Sequence, residues 1–215
     1  LFHDLLERTS PAELDYLSFS LDGPDPGIND ALRGQGVFDI CVANIEKAVE
    51  RGFNVSVIYT VNRKNIEHLH RMVPLLERLR VKKFFIQVIG LRGESAQKKD
   101  EAIQASKEQW LKIVPEVAGV AASKGMYVTY PKVFLSKEEH FECAGNVAEN
   151  FFIFPNGRVY QCPLCEDYPI HSYRIESDRL VKNEGLTESD FFKLQIQEGC
   201  VMNKLLQPDT IEYDT

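Results

Sequence analysis

The chain lacks a basic excess: 25 Lys and Arg stand against 32 Asp and Glu, for a formal net charge of −7. That excludes a broad electrostatic footprint for nucleic acid or for an anionic membrane surface. No apolar run approaches the length of a membrane span, and no segment of secretory type opens the chain. Internal repeats and low-complexity stretches are absent too, so no repeat architecture has to be considered. Cysteine is scarce, with five residues, and the number is odd. Without a secretory context this argues against a disulfide framework and for a reducing, cytoplasmic setting in which thiolates serve as metal ligands. What remains is an ordinary globular composition over 215 residues, 44% hydrophobic and 27% charged, enough for one or two domains. The opening LFHDLLERTSPAELDYLSF reads as the end of a helix running into a strand. We therefore expect an excerpt of a longer protein, cut inside a domain.

Four of the five cysteines lie in the last third, at Cys143, Cys162, Cys165 and Cys200. Cys143 is followed by thirteen residues, Gly157, four residues and Cys162, and Cys165 closes a C-x-x-C. Soft thiolates in this number suit zinc or an iron–sulfur cluster. Between them, Phe151–Phe154 and Arg158–Gln161 are strand-like runs joined by the turn sequence Pro155-Asn156-Gly157. Such a hairpin brings Cys143 and Cys162 together. Cys₄ zinc sites usually use two C-x-x-C pairs, whereas this chain has one pair and two single cysteines, which favours the cluster over a structural zinc. Cys165 is the ligand least tied to the glycine spacing, and Cys200 falls just past a short helix expected near Glu188–Gln197, with Thr187 as its cap.

Upstream, strands and helices alternate. Tyr16–Asp22 reads as a strand, ended by Gly23-Pro24-Asp25-Pro26-Gly27. A helical period runs over Val37–Arg51, a second strand over Asn54–Val61 and a second helix over Asn65–Arg80. A third strand follows at Lys83–Gly90, a polar loop, a helix near Lys107–Lys124 and a short strand at Met126–Tyr130. This order predicts an α/β fold with a parallel sheet and right-handed crossovers. One face of each strand is apolar (Leu17, Phe19, Leu21; Val55, Val57, Tyr59, Val61; Phe84, Ile86, Val88), while the other keeps hydroxyls, amides and a carboxylate. A parallel sheet covered on both faces should be apolar throughout. The polar face therefore predicts a lined cavity, with the site at the C-terminal strand ends. After Tyr130 the alternation stops, and we expect a first domain over 1–135 and a small cysteine domain over 136–215, with the charged stretch Arg174–Glu188 as loop.

Two sets of residues resemble the radical SAM enzymes with a C-terminal SPASM or twitch domain. The first is Ser20-Leu21-Asp22-Gly23-Pro24 followed by Asn29–Asp39, with Thr60-Val61-Asn62-Arg63-Lys64-Asn65 and Gln87-Val88-Ile89-Gly90; these are similar to the ends of that family's fourth, fifth and sixth barrel strands. The second is Cys143-x13-Gly157-x4-Cys162. The resemblance implies the second half of a partial (β/α)6 barrel followed by a small α+β twitch/SPASM-like domain. It implies that Ser20 and Asp22 face S-adenosylmethionine, that Arg33 reaches its carboxylate, and that Asn62 and the backbone near Ile89 border ribose and adenine. It makes Cys143, Cys162, Cys165 and Cys200 the ligands of an auxiliary [4Fe–4S] cluster. The full enzyme would generate a 5′-deoxyadenosyl radical for hydrogen abstraction, fed by an electron donor such as flavodoxin or ferredoxin, on a peptide or small-molecule substrate. The family's C-x-x-x-C-x-x-C segment is absent from these 215 residues, so this portion alone is expected to be inactive. The cysteine count suits one cluster, hence the shorter twitch-like form. With four protein thiolates electron transfer is the expected cluster role; with three, substrate binding. No general acid or base is named.

A different class of reading is a non-catalytic module, stapled by zinc and holding a small ligand. Cys41 falls on the apolar face of its helix and reads as core, and Trp110 as packing. His68 and His70 stand two apart on a helix and make no metal pair. His140 is read as solvated and Glu94–Glu101 as a solvated loop. A sheet beginning at a fourth barrel strand leaves a bare parallel edge, through which the portion is expected to self-associate.

Overall fold

The structure, a computed structural model, describes residues 2–89, 103–131, 151–162, 165, 169–187 and 190. The chain divides into two units, one of Leu1–Ile89 with Lys98–Lys132, the other of Gly90–Gln97 with Val133–Thr215.

In the first unit, β1 (Leu17–Ser20), β2 (Val55–Val61), β3 (Lys83–Val88) and β4 (Tyr127–Thr129) form a four-stranded parallel sheet in that order. Helix α1 (Phe2–Arg8) precedes β1, while α2 (Pro26–Arg33) and α3 (Val37–Glu50) connect β1 to β2. A 3-10 helix (Ile66–Arg71) and α4 (Met72–Arg78) connect β2 to β3, and α5 (Lys107–Ser123) leads into β4. Register places Phe19, Val57, Phe84 and Val128 in one row and Ser20, Ile58, Phe85 and Thr129 in the next. Strand side chains alternate faces, so the first row and its like point one way. Val55, Val57, Tyr59, Val61, Phe84 and Ile86 are buried there with Ile45, Leu69, Leu76, Trp110 and Val114 from the helices. Full burial of each such side chain contributes roughly 1.5–3 kcal/mol. The opposite face carries exposed Ser18, Ser20 and Gln87, with Tyr127 64% exposed at its rim. The two-faced strand pattern is therefore real, with Ser56 the buried exception.

Two local departures have clear causes. The Asn65–Arg80 segment is not one helix. Pro74 has no N–H to give the His70 carbonyl and its ring crowds that carbonyl, so the chain runs as a 3-10 helix to Arg71 and restarts as α4, with Pro74 in the first turn. The Gly-Pro-rich stretch after β1 is not all loop. Asp25 adopts extended backbone, its carboxylate accepts from Ile28 N at 3.1 Å, and Pro26 starts α2. Proline at the first helical position and a capping aspartate are a helix-start signature, and they make Arg33 the last residue of a helix rather than a loop residue.

In the second unit, β5 (Phe152–Ile153), β6 (Arg158–Tyr160), β7 (Tyr173–Glu176) and β8 (Arg179–Lys182) form a four-stranded antiparallel meander. The expected hairpin is present: Phe152 pairs with Tyr160 and Ile153 with Val159, and Gly157 takes φ +78 at the turn. The Arg174–Glu188 stretch, expected as loop, begins with a second hairpin instead. Its turn is Ser177-Asp178, both at positive φ, the geometry of a type I′ connection. Its strand residues are largely exposed, which is why no apolar alternation announced them.

Candidate functional site

The C-terminal ends of β1, β2 and β3 gather the polar residues that the strand pattern singled out. Parallel pairing continues one residue beyond the strands, with Leu21 N donating to Ile58 O at 3.0 Å and Ile89 N to Val61 O at 3.1 Å. Ser20 is therefore exposed at the tip of β1, Asp22 lies two residues on, Asn62 follows β2 and Ile89 follows β3.

Asp22 is buried at 7% exposure and organises the β1 end. Its Oδ1 accepts from Thr60 N at 2.7 Å, tying the loop after β1 to β2. Its Oδ2 accepts from Arg33 Nε at 2.7 Å. The guanidinium is thus fixed through Nε while Nη1 and Nη2 carry no hydrogen bond among the described residues. An outward pair of N–H groups in one plane is the geometry that grips a carboxylate with two parallel bonds.

The loops that carry these groups are held by two fully buried asparagines outside the sequence-derived set. Asn29 Oδ1 accepts from Asp22 N at 2.9 Å, and its Nδ2 donates to Asp30 Oδ1 at 3.0 Å. Asp30 in turn accepts from Gly36 N and Phe38 N, which turns α2 into α3. Burial pushes the Asp30 carboxyl up, but these donors outweigh it and hold it below the usual carboxylate range. Asn65 Nδ2 donates both to Asp22 O (3.1 Å) and to Thr60 O (3.0 Å), and its Oδ1 accepts from Asn62 N at 2.8 Å. One carboxamide therefore joins the ends of β1 and β2. Asn62 Oδ1 accepts from Lys64 N at 2.8 Å, so Asn62 shapes its own loop. The Asn-x-x-Asn spacing at Asn62 and Asn65 was the visible signal for this pair, since asparagine side chains substitute for backbone in turns. Gly23 completes the assembly: a β-carbon there would lie 2.4 Å from Asn29 N.

Beneath the site, Cys41 is buried and its thiol donates to Ser20 O at 3.6 Å. Burial, offset by Arg33 and reinforced by Asp22, pushes the thiol up to about 11. Tyr59 donates to Asn65 O at 2.8 Å, and burial first, then the Asp22 charge, raises its phenol. Both are neutral packing groups at neutral pH. Trp110 is packed at 2% exposure.

In the second unit, Cys162 and Cys165 stand on one turn, with Cys165 N donating to Cys162 O at 3.2 Å. Cys165 is buried beside Tyr160, and Phe154, Cys162, Ile170 and Leu186 pack against them. Two soft donors on a single turn in an apolar shelter fit one edge of an iron–sulfur cluster or of a zinc site. Cys143, His140 and Cys200 lie outside the described residues, and so does most of the helix expected after Thr187; among the described residues no group of three or more metal-binding side chains is present. Thr187 Oγ1 and Thr187 N both donate to Asp190 Oδ2 at 2.8 Å, as at a helix start.

Comparison with known proteins follows this geometry. A stretch of 108 residues is 26% identical to Fe-coproporphyrin III synthase of Methanosarcina barkeri, covering 49% of this chain and 27% of that protein. Over 70 residues it is 36% identical to mycofactocin maturase MftC of Mycolicibacterium smegmatis, covering 31% of this chain and 18% of that one. Over these stretches the chain is similar in sequence to radical SAM enzymes. Among solved structures, SuiB of Streptococcus suis superposes over 72% of this chain and 39% of its own at TM-score 0.54 and 10% identity, a likeness of fold. The chain thus spans well under half of the relatives it matches. No family model matches. Among the described residues no helix is long and apolar enough to cross a membrane.

Proposed function

We propose that this chain is a portion of a radical SAM enzyme that modifies a peptide: the latter part of a partial (β/α)6 barrel, over about 1–135, with a twitch-like cysteine domain over 136–215. The observation that carries this reading is the Asp22–Arg33 pair at the parallel strand ends, with Arg33 braced at Nε and open at its outer edge. In this reading Arg33 takes the carboxylate of S-adenosylmethionine, Asp22 holds Arg33 in place, and Ser20, Asn62 and the Ile89 backbone line the nucleoside. Homology to mycofactocin maturase and likeness to SuiB, solved bound to S-adenosylmethionine and to its precursor peptide SuiA, support the cofactor and the peptide class. Cys143, Cys162, Cys165 and Cys200 would hold an auxiliary iron–sulfur cluster, which supplies electron transfer when bound. The chain's own part there is the apolar shelter around Cys162 and Cys165, which limits solvent access and so tunes potential.

Anaerobic reconstitution with iron and sulfide tests the cysteine site. About four iron and four acid-labile sulfide per chain are expected for a [4Fe–4S] cluster; one zinc per chain with no sulfide overturns it in favour of a zinc-stapled module. For the strand-end site, titration with S-adenosylmethionine followed by calorimetry should show saturable binding lost in Arg33→Ala. Unchanged affinity in that variant would remove Arg33 from the site.

A further inference from the structure

The second unit contains a pocket of about 470 Å³ lined by Pro169, Ile170, His171, Arg174, Lys182, Asn183, Glu184 and Leu186. Its lining shares no residue with the strand-end site, and no sequence pattern pointed to it. Two features give it a chemistry. First, its polar groups are pre-set. Arg174 is held at Nε by Glu176 and at Nη1 by Asn183 Oδ1 (3.3 Å), and Asn183 Nδ2 donates to His171 O at 2.6 Å. This chain of bonds fixes the guanidinium while Nη2 carries no hydrogen bond among the described residues. The Lys182 ammonium likewise has neither hydrogen bond nor ion pair there. His171 Nδ1 faces Pro169 O at 2.9 Å. A carbonyl only accepts, so Nδ1 carries a hydrogen, and in the neutral ring Nε2 is then the acceptor. Glu176 already balances Arg174 and Glu184 lies in the lining, so what suits an anion here is not net charge but the two donors, Arg174 Nη2 and the Lys182 ammonium; an imidazole acceptor suits an amide N–H.

Second, the apolar wall is shared. Ile170 and Leu186 line the pocket and also pack on the Tyr160–Cys165 cluster. A ligand in the pocket would sit one side-chain layer from the cysteine pair. The volume suits a side chain or two rather than a large cofactor.

We propose that this pocket binds an acidic side chain, Asp or Glu, of the peptide substrate: the carboxylate on Arg174 Nη2 and Lys182, a neighbouring backbone N–H on His171 Nε2, and an adjacent apolar side chain against Ile170 and Leu186. The inference rests on the peptide reading given above and adds the class of residue that the peptide presents. The test is fluorescence anisotropy on the reconstituted chain with two labelled probes, acetyl-Ala-Leu-Glu-Ala and its Gln counterpart. The Glu probe is expected to bind about tenfold more tightly, the scale of one charge-assisted hydrogen bond. Lys182→Gln should erase most of that preference; this exposed side chain makes no hydrogen bond or ion pair among the described residues, so folding is expected to be unaffected. Equal affinity for the two probes, or a Lys182→Gln variant that keeps the preference, overturns the proposal. Succinate that binds as tightly as the Glu probe overturns the peptide as its source. Iron and sulfide measured on the same sample separate the two readings. Equal affinity for the two probes on the unsubstituted chain with the cluster intact sinks the pocket alone; a preference for the Glu probe without iron and sulfide sinks the radical reading alone.

Discussion

A β-carbon at Gly23 would meet Asn29 N at 2.4 Å and both Asn29 Cα and Ile28 C at 2.9 Å. All three are backbone atoms of the α2 start, so nothing flexible can yield. Gly23→Ala should cost about 1–3 kcal/mol, as overpacking does, and urea unfolding would register it as a lower midpoint at unchanged slope. Asn65 is the second such position. Asn65→Ala removes the side-chain bonds to Asp22 O, Thr60 O and Asn62 N, for about 2–4 kcal/mol at the net worth of an ordinary hydrogen bond each. The Asn62-x-x-Asn65 spacing signalled a turn, but nothing local distinguishes an asparagine that bridges two strands from one that only shapes its own loop. Asp22 and Arg33 were legible as polar residues near a strand end; that they grip each other across eleven residues was not. Cys41 was legible as core, and its raised pKa gives a signed expectation. The folded thiol keeps its proton to about 11 while the unfolded thiol loses it near its ordinary value of 9.0. Unfolding therefore releases a proton in that window, and stability, fully present below pH 9, falls as pH rises through it. Cys41→Ala should remove that one-proton part of the slope in a pH series of urea midpoints; an identical slope would show that the thiol does not titrate with unfolding.

At the scale of elements, periodicity located most strands and helices because burial dictates it. β2 and β3 alternate, α3 turns Phe38, Cys41, Ile45 and Ala48 inward, and α5 buries Trp110, Val114, Val117, Ala118 and Ala121. Elements escaped where burial does not dictate. The β7–β8 hairpin is held by backbone pairing and a turn, with exposed side chains on both strands. Its Ser177-Asp178 turn places two L-residues at φ +47 and +64, where Asn-Gly is preferred. Replacing the pair by Asn-Gly should stabilise the second unit by about 0.5–1 kcal/mol, measured as slower amide exchange across β7 and β8. No change in exchange would argue that the turn is unstrained. Helix α2 escaped because Gly-Pro pairs read as breakers, although Asp25-Pro26 is also how a helix starts.

For the molecule as a whole, the cysteine pair carries the clearest prediction. Cys162→Ser with Cys165→Ser should abolish iron and sulfide uptake while the circular dichroism of the parallel-sheet unit persists; full uptake in the double variant would dismiss the pair as ligands. The sequence by itself determined the alternation of strands and helices, the two-faced parallel strands and the hairpin between cysteines, because each follows from local periodicity or turn chemistry. Homology then agreed with the family that its motifs resemble. Only the tertiary structure decided that Arg33 is braced by Asp22, that Asn29 and Asn65 tie the strand ends together, and that a pocket lined by Arg174 and Lys182 shares Ile170 and Leu186 with the shelter of the cysteine pair. Those contacts join residues distant in the chain, and their energies depend on burial and approach, which no local pattern records.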